Sequence, residues 1–325
     1  MTQHGFVIGV DVGGTKVAAG LVDACGEIKS QTRAVMAASG TAAEGLKAVT
    51  STIDSLFAAD PNVRDAIRGI GICSPGPVDP KTGVVVNPPN IPCWRNFPLA
   101  AELEAIYRVP VKLDNDANAA ALAEVRWGAG RGYRYVFYAT IGTGIGTGIV
   151  LDGKIYHGRT GAAGEGGHVS IDYRGPRCGC GKLGCIEALA SGPATARRAQ
   201  AKLAAQPVPH SKMLDLAGGN IEAITGKMVG QAYAAGDPAA KEVLHETVEL
   251  LSLWLGNTID LLDPDVIVIG GGAAPLFTPF FGDIKNLLPR FCVNSRCLEI
   301  PLLKARYGAD SGIAGGAALC SDTLA

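Results

Sequence analysis

The chain has 325 residues, 47% hydrophobic and 18% charged, with 29 basic and 30 acidic side chains and a formal net charge of -1. That length is more than one hydrophobic core needs and predicts two lobes, and the apolar fraction excludes a disordered polymer. The charge balance lacks the basic excess of a nucleic-acid binder, and no run of about 18 apolar residues offers a membrane helix.

Met1 leads directly into a strand-like run at Phe6 without a basic leader region, so a cytoplasmic protein is expected. The nine cysteines are odd in number, and three of them crowd between Cys178 and Cys185. This pattern favours a reducing compartment with one metal site over a disulfide framework. The 44 glycines cluster, which suits tight turns and close backbone approach to a ligand.

In chain order, Phe6–Asp11, Val17–Val22 and Glu27–Val35 read as strands of an antiparallel meander. A helix is predicted over Thr41–Ala59 and a buried strand over Ile67–Cys73. The Pro-rich run from Ser74 to Pro80 is then expected to break all regular structure. Pro98–Arg108 reads as a helix, Val109–Leu113 as a strand, and Ala117–Val125 as an Ala-rich helix. Tyr135–Ile141 and Thr147–Leu151 are strands around a Gly turn at 142–146, which repeats the plan of residues 6–22 and suggests an internal duplication. The apolar stripe Leu244, Val248, Leu251, Leu255, Ile259 and Leu262 marks the clearest helix, Asp237–Leu262. Asp265–Ile269 is a buried strand and Asp310–Leu319 a helix of small residues. Alternating strands and helices predict an α/β protein, with a smaller lobe at 1–128 and a larger one at 129–325; a helix near 310–321 packs back on the first.

Five motifs carry chemistry. Asp11, Gly13, Gly14, Thr15 and Lys16 form a turn whose backbone N–H groups suit a phosphate, and Asp11 suits Mg²⁺; the alternative is a plain hairpin. Gly142, Thr143 and Gly144 open a second such turn. Asp114, Asn115 and Asp116 stand before a helix, where a carboxylate suits proton abstraction from a hydroxyl or, alternatively, a helix cap. His168 with Cys178, Cys180 and Cys185 is the ligand set of a closed structural Zn²⁺ site. Glu165, His168 and Glu187 then gather acceptors suited to sugar hydroxyls, unless the carboxylates serve the metal's surroundings. The G-x-G-x-x-G at Gly179, Gly181 and Gly184 follows no strand of a βαβ unit and reads as chance.

Other candidates are plainer. His4, His157, His210 and His245 have no evident partners in sequence and read as surface or satisfied residues. Cys25, Cys73, Cys93, Cys292, Cys297 and Cys320 read as small apolar residues, and Trp94 as a sugar-site floor or a packed aromatic.

Taken together, these residues resemble the ROK family of repressors, open reading frames and kinases. Asp11–Lys16 and Ile141–Gly146 are similar to its two phosphate motifs, Gly270, Gly271 and Gly272 to its adenosine loop, and 165–168 with 178–187 to its signature region. The resemblance implies an actin-like ATPase (ribonuclease H-like) fold, two lobes around a central cleft, ATP and Mg²⁺ as cofactors with a structural Zn²⁺, and a homodimer or homotetramer. It also implies Asp116 as catalytic base, and Asn90, Asn115, Glu165, His168 and Glu187 as holders of a hexose, with His168 serving metal and sugar alike. Thr147 departs from the family's more common Gly, and Cys73 and Ser74 stand where small residues are common. The run 181–192 is most similar to bacterial glucokinases, which implies phosphorylation of a glucose 6-hydroxyl. Kinases of N-acetylmannosamine, N-acetylglucosamine and fructose share nearly all the motifs. The family's repressors carry a helix-turn-helix before the first phosphate motif; only ten residues precede Asp11, so no DNA partner is expected.

Overall fold

The computed structural model describes residues 5–205 and 210–324 and divides them into two compact units. One comprises residues up to Tyr138, Gly148–Gly164 and from Ala305 on; the other comprises Ala139–Thr147 and Glu165–Lys304. His4 lies outside the described residues. No helix among them is long and apolar enough to cross a membrane.

The first unit is built on the sheet order β3-β2-β1-β4-β7. Strands β1 (Phe6–Val12), β2 (Lys16–Val22) and β3 (Ile28–Val35) form the antiparallel meander, and β4 (Ile67–Ser74) and β7 (Val111–Asn115) add in parallel. Alternation along β1 explains the layering: Ile8, Val10 and Val12 join the large core under α1 (Ala42–Ala59), while Val7 faces α11 (Ser311–Leu319). α1 begins where the sequence places a capping box. Thr41 Oγ1 accepts from Glu44 N, and Glu44 Oε2 accepts from Thr41 N at 2.7 Å. Such a cap contributes about 1 kcal/mol.

α11 is apolar all round and nearly all buried, as its composition requires. It lies directly on the sheet. A Cβ on Gly9 would fall 1.8 Å from Ile313 O, and one on Gly71 only 1.7 Å from Gly316 O.

The Pro-rich run after Ser74 is not wholly irregular. Val78–Asp79 (β5) and Val84–Val85 (β6) pair as a small hairpin, because Asp79 closes the intervening turn by accepting from Lys81 N and Thr82 Oγ1. α2 spans Leu99–Tyr107 and α3 Asp116–Trp127, so α3 starts one residue earlier than composition suggests.

The second sheet has the order β10-β9-β8-β11-β12, from β8 (Tyr135–Ile141), β9 (Ile145–Leu151), β10 (Lys154–Ile155), β11 (Val266–Gly270) and β12 (Leu302–Lys304). It repeats the order of the first, with the β9–β10 pair antiparallel and the β11–β12 pair parallel. β9 begins at Ile145, not Thr147, and runs to Leu151.

The second unit also holds α4 (Ile186–Ala190), α5 (Gly192–Ala204), α6 (Lys212–Leu216), α7 (Gly226–Ala234), α8 (Pro238–Leu262), α9 (Ala274–Phe277) and α10 (Phe281–Leu287). In α8 the predicted stripe is buried from Leu244 through Ile259, and Leu262 is half-buried. Asp237 caps this helix by accepting from Ala240 N, and its other oxygen accepts from Ser211 Oγ and Lys212 N at 2.7 Å. These bonds and its buried setting tie α6 to the start of α8.

Candidate active site

In the first unit, β1 and β2 expose the turn of Gly13, Gly14 and Thr15. Gly13 N donates to Lys16 O at 2.9 Å, and Met36 N donates to Thr15 O at 3.1 Å, which fixes the turn from β3. Asn90 backs it: a Cβ on Gly14 would lie 2.6 Å from Asn90 O. Asn90 itself is exposed. Asp11 is half-buried beside Gly312, and burial raises its carboxyl above the usual range against the lowering effects of Cys73, Lys16 and Arg33. A cation at this turn would hold it ionised. Cys73 is not a plain apolar residue, because its thiol lies 3.2 Å from Gly312 O and 3.7 Å from Asp11 Oδ1. Burial pushes that thiol well above its ordinary range. Cys25, also predicted apolar, is exposed.

β7 delivers Asp114 and Asn115 to the start of α3. Asn115 is the cap, its Oδ1 accepting from Ala117 N at 2.9 Å and Asn118 N at 3.4 Å. The two readings of this motif therefore divide between residues: Asn115 caps, and Asp116 is an exposed carboxylate in the first turn, with Oδ1 on Ala117 N at 2.8 Å. The helix end favours its negative charge. Asp114 is buried and pairs with His157, whose Nε2 lies 2.7 Å from Asp114 Oδ2. Sequence gave no sign of this partner, which stands 43 residues away.

In the second unit, Gly142 N donates to Gly144 O at 2.9 Å, closing the second turn, and Gly192 N donates to Gly142 O at the start of α5. The turn borders a cavity of about 1020 Å³. Gly142, Thr143 and Gly272 line it; Gly270, Gly271 and Gly144 do not. Its walls are apolar groups of α7, α9 and the following turn, among them Tyr233, Leu276 and Phe280, with the cations Arg197 and Lys227. This size and lining suit a nucleoside. These walls were missed from sequence; the one available signal was the Ser191 cap opening α5 beside Gly192.

The knuckle is compact. The ligand atoms of His168, Cys178, Cys180 and Cys185 all lie within 4.8 Å of one another. His168 Nδ1 is 3.6 Å from Cys178 Sγ, and the Cys180 and Cys185 sulfurs are 3.7 Å apart. A tetrahedral ion with bonds of about 2.3 Å has edges of about 3.8 Å, so the donor set fits one. Burial pushes the Cys185 thiol up to about 12, so without a cation it keeps its proton.

Glu187 joins this knuckle to the second turn. Its Oε2 accepts from Ile145 N at 2.9 Å, while Oε1 lies 3.6 Å from Cys178 Sγ and 3.9 Å from His168 Nδ1. A Cβ on Gly144 would fall 2.4 Å from Glu187 Oε2. Glu165 is exposed, and its side chain has no polar partner among the described residues. Thr147, the departure from the family pattern, is buried behind Glu165, and its Oγ1 accepts from Gly166 N at 2.8 Å. Trp254 Nε1 donates to Gly166 O at 3.0 Å, so the Glu165–His168 turn is held from two sides. Trp94 is a packed aromatic: fully buried and stacked on Phe97 at 5.4 Å.

Comparison with known proteins places these features in one lineage. The model of the ROK family matches residues 7–323. A glucokinase of Streptomyces coelicolor is 34% identical over 98% of both chains. An N-acetylmannosamine kinase of Escherichia fergusonii is 33% identical over 96% of this chain and 97% of its own. The solved structure of a ROK family glucokinase from Streptomyces griseus, in complex with glucose and AMPPNP, matches 97% of this chain and 99% of its own at 35% identity, with a TM-score of 0.81. On the match across nearly its whole length and on this repeated actin-like α/β fold, the chain belongs to the ROK family.

Proposed function

We propose that this protein is an ATP-dependent glucokinase, which transfers the γ-phosphoryl group of ATP to the 6-hydroxyl of glucose. The observation that carries the reading is the Asn115–Asp116 turn: the first residue caps α3 through Ala117 N and Asn118 N, and the second presents an exposed carboxylate at the helix start. The full-length likeness to glucokinases supports glucose as the acceptor.

In this reading Asp116 takes the proton of the 6-hydroxyl as it attacks phosphorus, worth about 10²- to 10⁴-fold in rate. Asn90, Asn115, Glu165, His168 and Glu187 orient the remaining hydroxyls. The nucleoside occupies the cavity of the second unit, and the N–H groups of Thr143 and Gly144, and of Gly14 and Thr15, receive phosphate oxygens, as does the Lys16 cation. Mg²⁺ supplies charge neutralisation at the phosphates when bound, and Asp11 offers it a hard oxygen ligand. The knuckle ion is zinc, the metal best suited to three thiolates and an imidazole in a closed structural site.

A second acceptor, N-acetylmannosamine, is favoured by the 33%-identical kinase of Escherichia fergusonii. ADP release measured with ATP and Mg²⁺ against glucose, N-acetylmannosamine, N-acetylglucosamine, mannose and fructose decides between them. Preferred turnover of glucose is expected. Turnover restricted to an N-acetylated sugar or fructose would keep the phosphoryl transfer and replace the acceptor.

A further inference from the structure

The turn that presents Asp116 is held from behind by two groups that the reaction above does not use. Asp114 is 3% exposed, and both of its oxygens are engaged. Oδ1 accepts from Asn115 N at 2.7 Å and from Asn118 Nδ2 at 3.2 Å. Oδ2 faces His157 Nε2 at 2.7 Å, and in this pair the imidazole serves as donor and the carboxyl oxygen as acceptor. Asn118 Oδ1 is buried with no partner, so the bond to Asp114 is what orients that amide. One carboxylate thus pins the residue before Asp116 and the residue two after it. His157 pins that carboxylate from the segment following β10.

We propose that Asp114 and His157 are positioning residues for Asp116, locking the capping turn in the one geometry in which the base meets the acceptor hydroxyl. The proposal rests on the reading of Asp116 as the base. A buried carboxylate that loses its cationic partner must turn toward other donors or admit water, and its hold on Asn115 N and Asn118 loosens. A displacement of about 1 Å in a reacting group costs up to about 100-fold in rate. Two charged groups act on the imidazole: Asp114 raises its pKa, and Lys81, from the turn between β5 and β6, lowers it, with a net rise. The lock is therefore tightest with His157 protonated, and it weakens as pH rises through the titration of this imidazole.

The test compares His157→Ala, His157→Gln, Asp114→Asn and Asp116→Asn in the intact protein. Each is assayed for kcat and for the KM of glucose and ATP between pH 6 and 9, alongside a thermal melt. His157→Ala is expected to lower kcat by about 10- to 100-fold while both KM values stay within about threefold. His157→Gln keeps a donor near the place of Nε2, so it should recover most of that kcat. It should also lose the step that His157 contributes to the pH profile. Should His157→Ala fail to fold, Asp114→Asn reads the same split, and His157→Gln still reads the lost step in the pH profile. A wild-type kcat and profile in the His157 variants overturns the proposal. So does a loss confined to the KM of glucose, which would make His157 a sugar ligand. Asp116→Asn separates the two claims: full turnover there removes the base itself, whereas collapse there with normal His157 and Asp114 variants removes only the positioning role.

Discussion

The two sheets share one strand order, and each offers a glycine turn at the same place in that order, yet the turns are backed differently. The turn at Gly13–Thr15 rests on backbone: a Cβ on Gly14 meets Asn90 O, and β3 is bonded to Thr15 O. The turn at Gly142–Gly144 has a backbone tie from Gly192 N to Gly142 O and, beside it, a side chain, Glu187, which bonds Ile145 N and lies near Cys178 and His168. Repetition of the fold therefore fixes where a glycine turn stands, and what lies behind each turn differs: the Asn90 backbone and Met36 N at the first, Gly192 N and Glu187 at the second.

The largest test of this contrast is Asp116→Asn. If proton chemistry belongs to the first unit alone, kcat should fall by about 10²- to 10⁴-fold while ATP affinity, measured by calorimetry, stays unchanged. Next comes Gly14→Ala, whose new methyl meets a backbone oxygen that cannot swing aside. It should lower kcat/KM for ATP by about 100-fold. Gly144→Ala meets the end of a flexible side chain, Glu187, whose Oε2 can swing away at the cost of its bond to Ile145 N. A loss of about tenfold is expected; equal losses in the two glycine variants would erase the difference drawn here.

Extraction of the knuckle ion with a chelator, followed by metal analysis and melting, probes the second turn's support. The melting temperature should fall and the KM for sugar should rise, and both should return when zinc is restored. The smallest effect is electrostatic. His157 has a raised folded-state pKa, so its pairing with Asp114 stabilises the protein fully below the unfolded value of about 6.5 and fades as pH rises through the folded value. The difference in Tm between wild type and His157→Gln, about 1–3 °C at pH 6, should shrink by pH 9.

Much of this was legible in the sequence, for physical reasons that differ by region. The meander, α1 and α8 announce themselves through alternation, a Thr41–Glu44 capping box and a stripe at helical spacing. The knuckle is legible because Cys178, Cys180 and Cys185 are close in the chain as well as in space. The cavity beside the second turn is not, since its walls come from separate segments around Ala196, Tyr233 and Phe280, each unremarkable by itself. The pairing of His157 with Asp114 is hidden likewise, because a tertiary contact across 43 residues leaves no local pattern. Thr147 looked like a change at the edge of the phosphate loop; burial and the bond from Gly166 N make it a support for the Glu165 turn instead.

α11 bears on how the molecule is made. The ribosome delivers β1 and β4 well before α11, yet Gly9 and Gly71 shape one face of the first sheet to receive that helix and nothing bulkier. Throughout synthesis that face, with Val7, Ala18 and Val22, waits without its cover. The first unit cannot complete this face until α11 emerges, so a nascent chain halted before residue 311 should bind chaperones and yield to protease across β1 and β2.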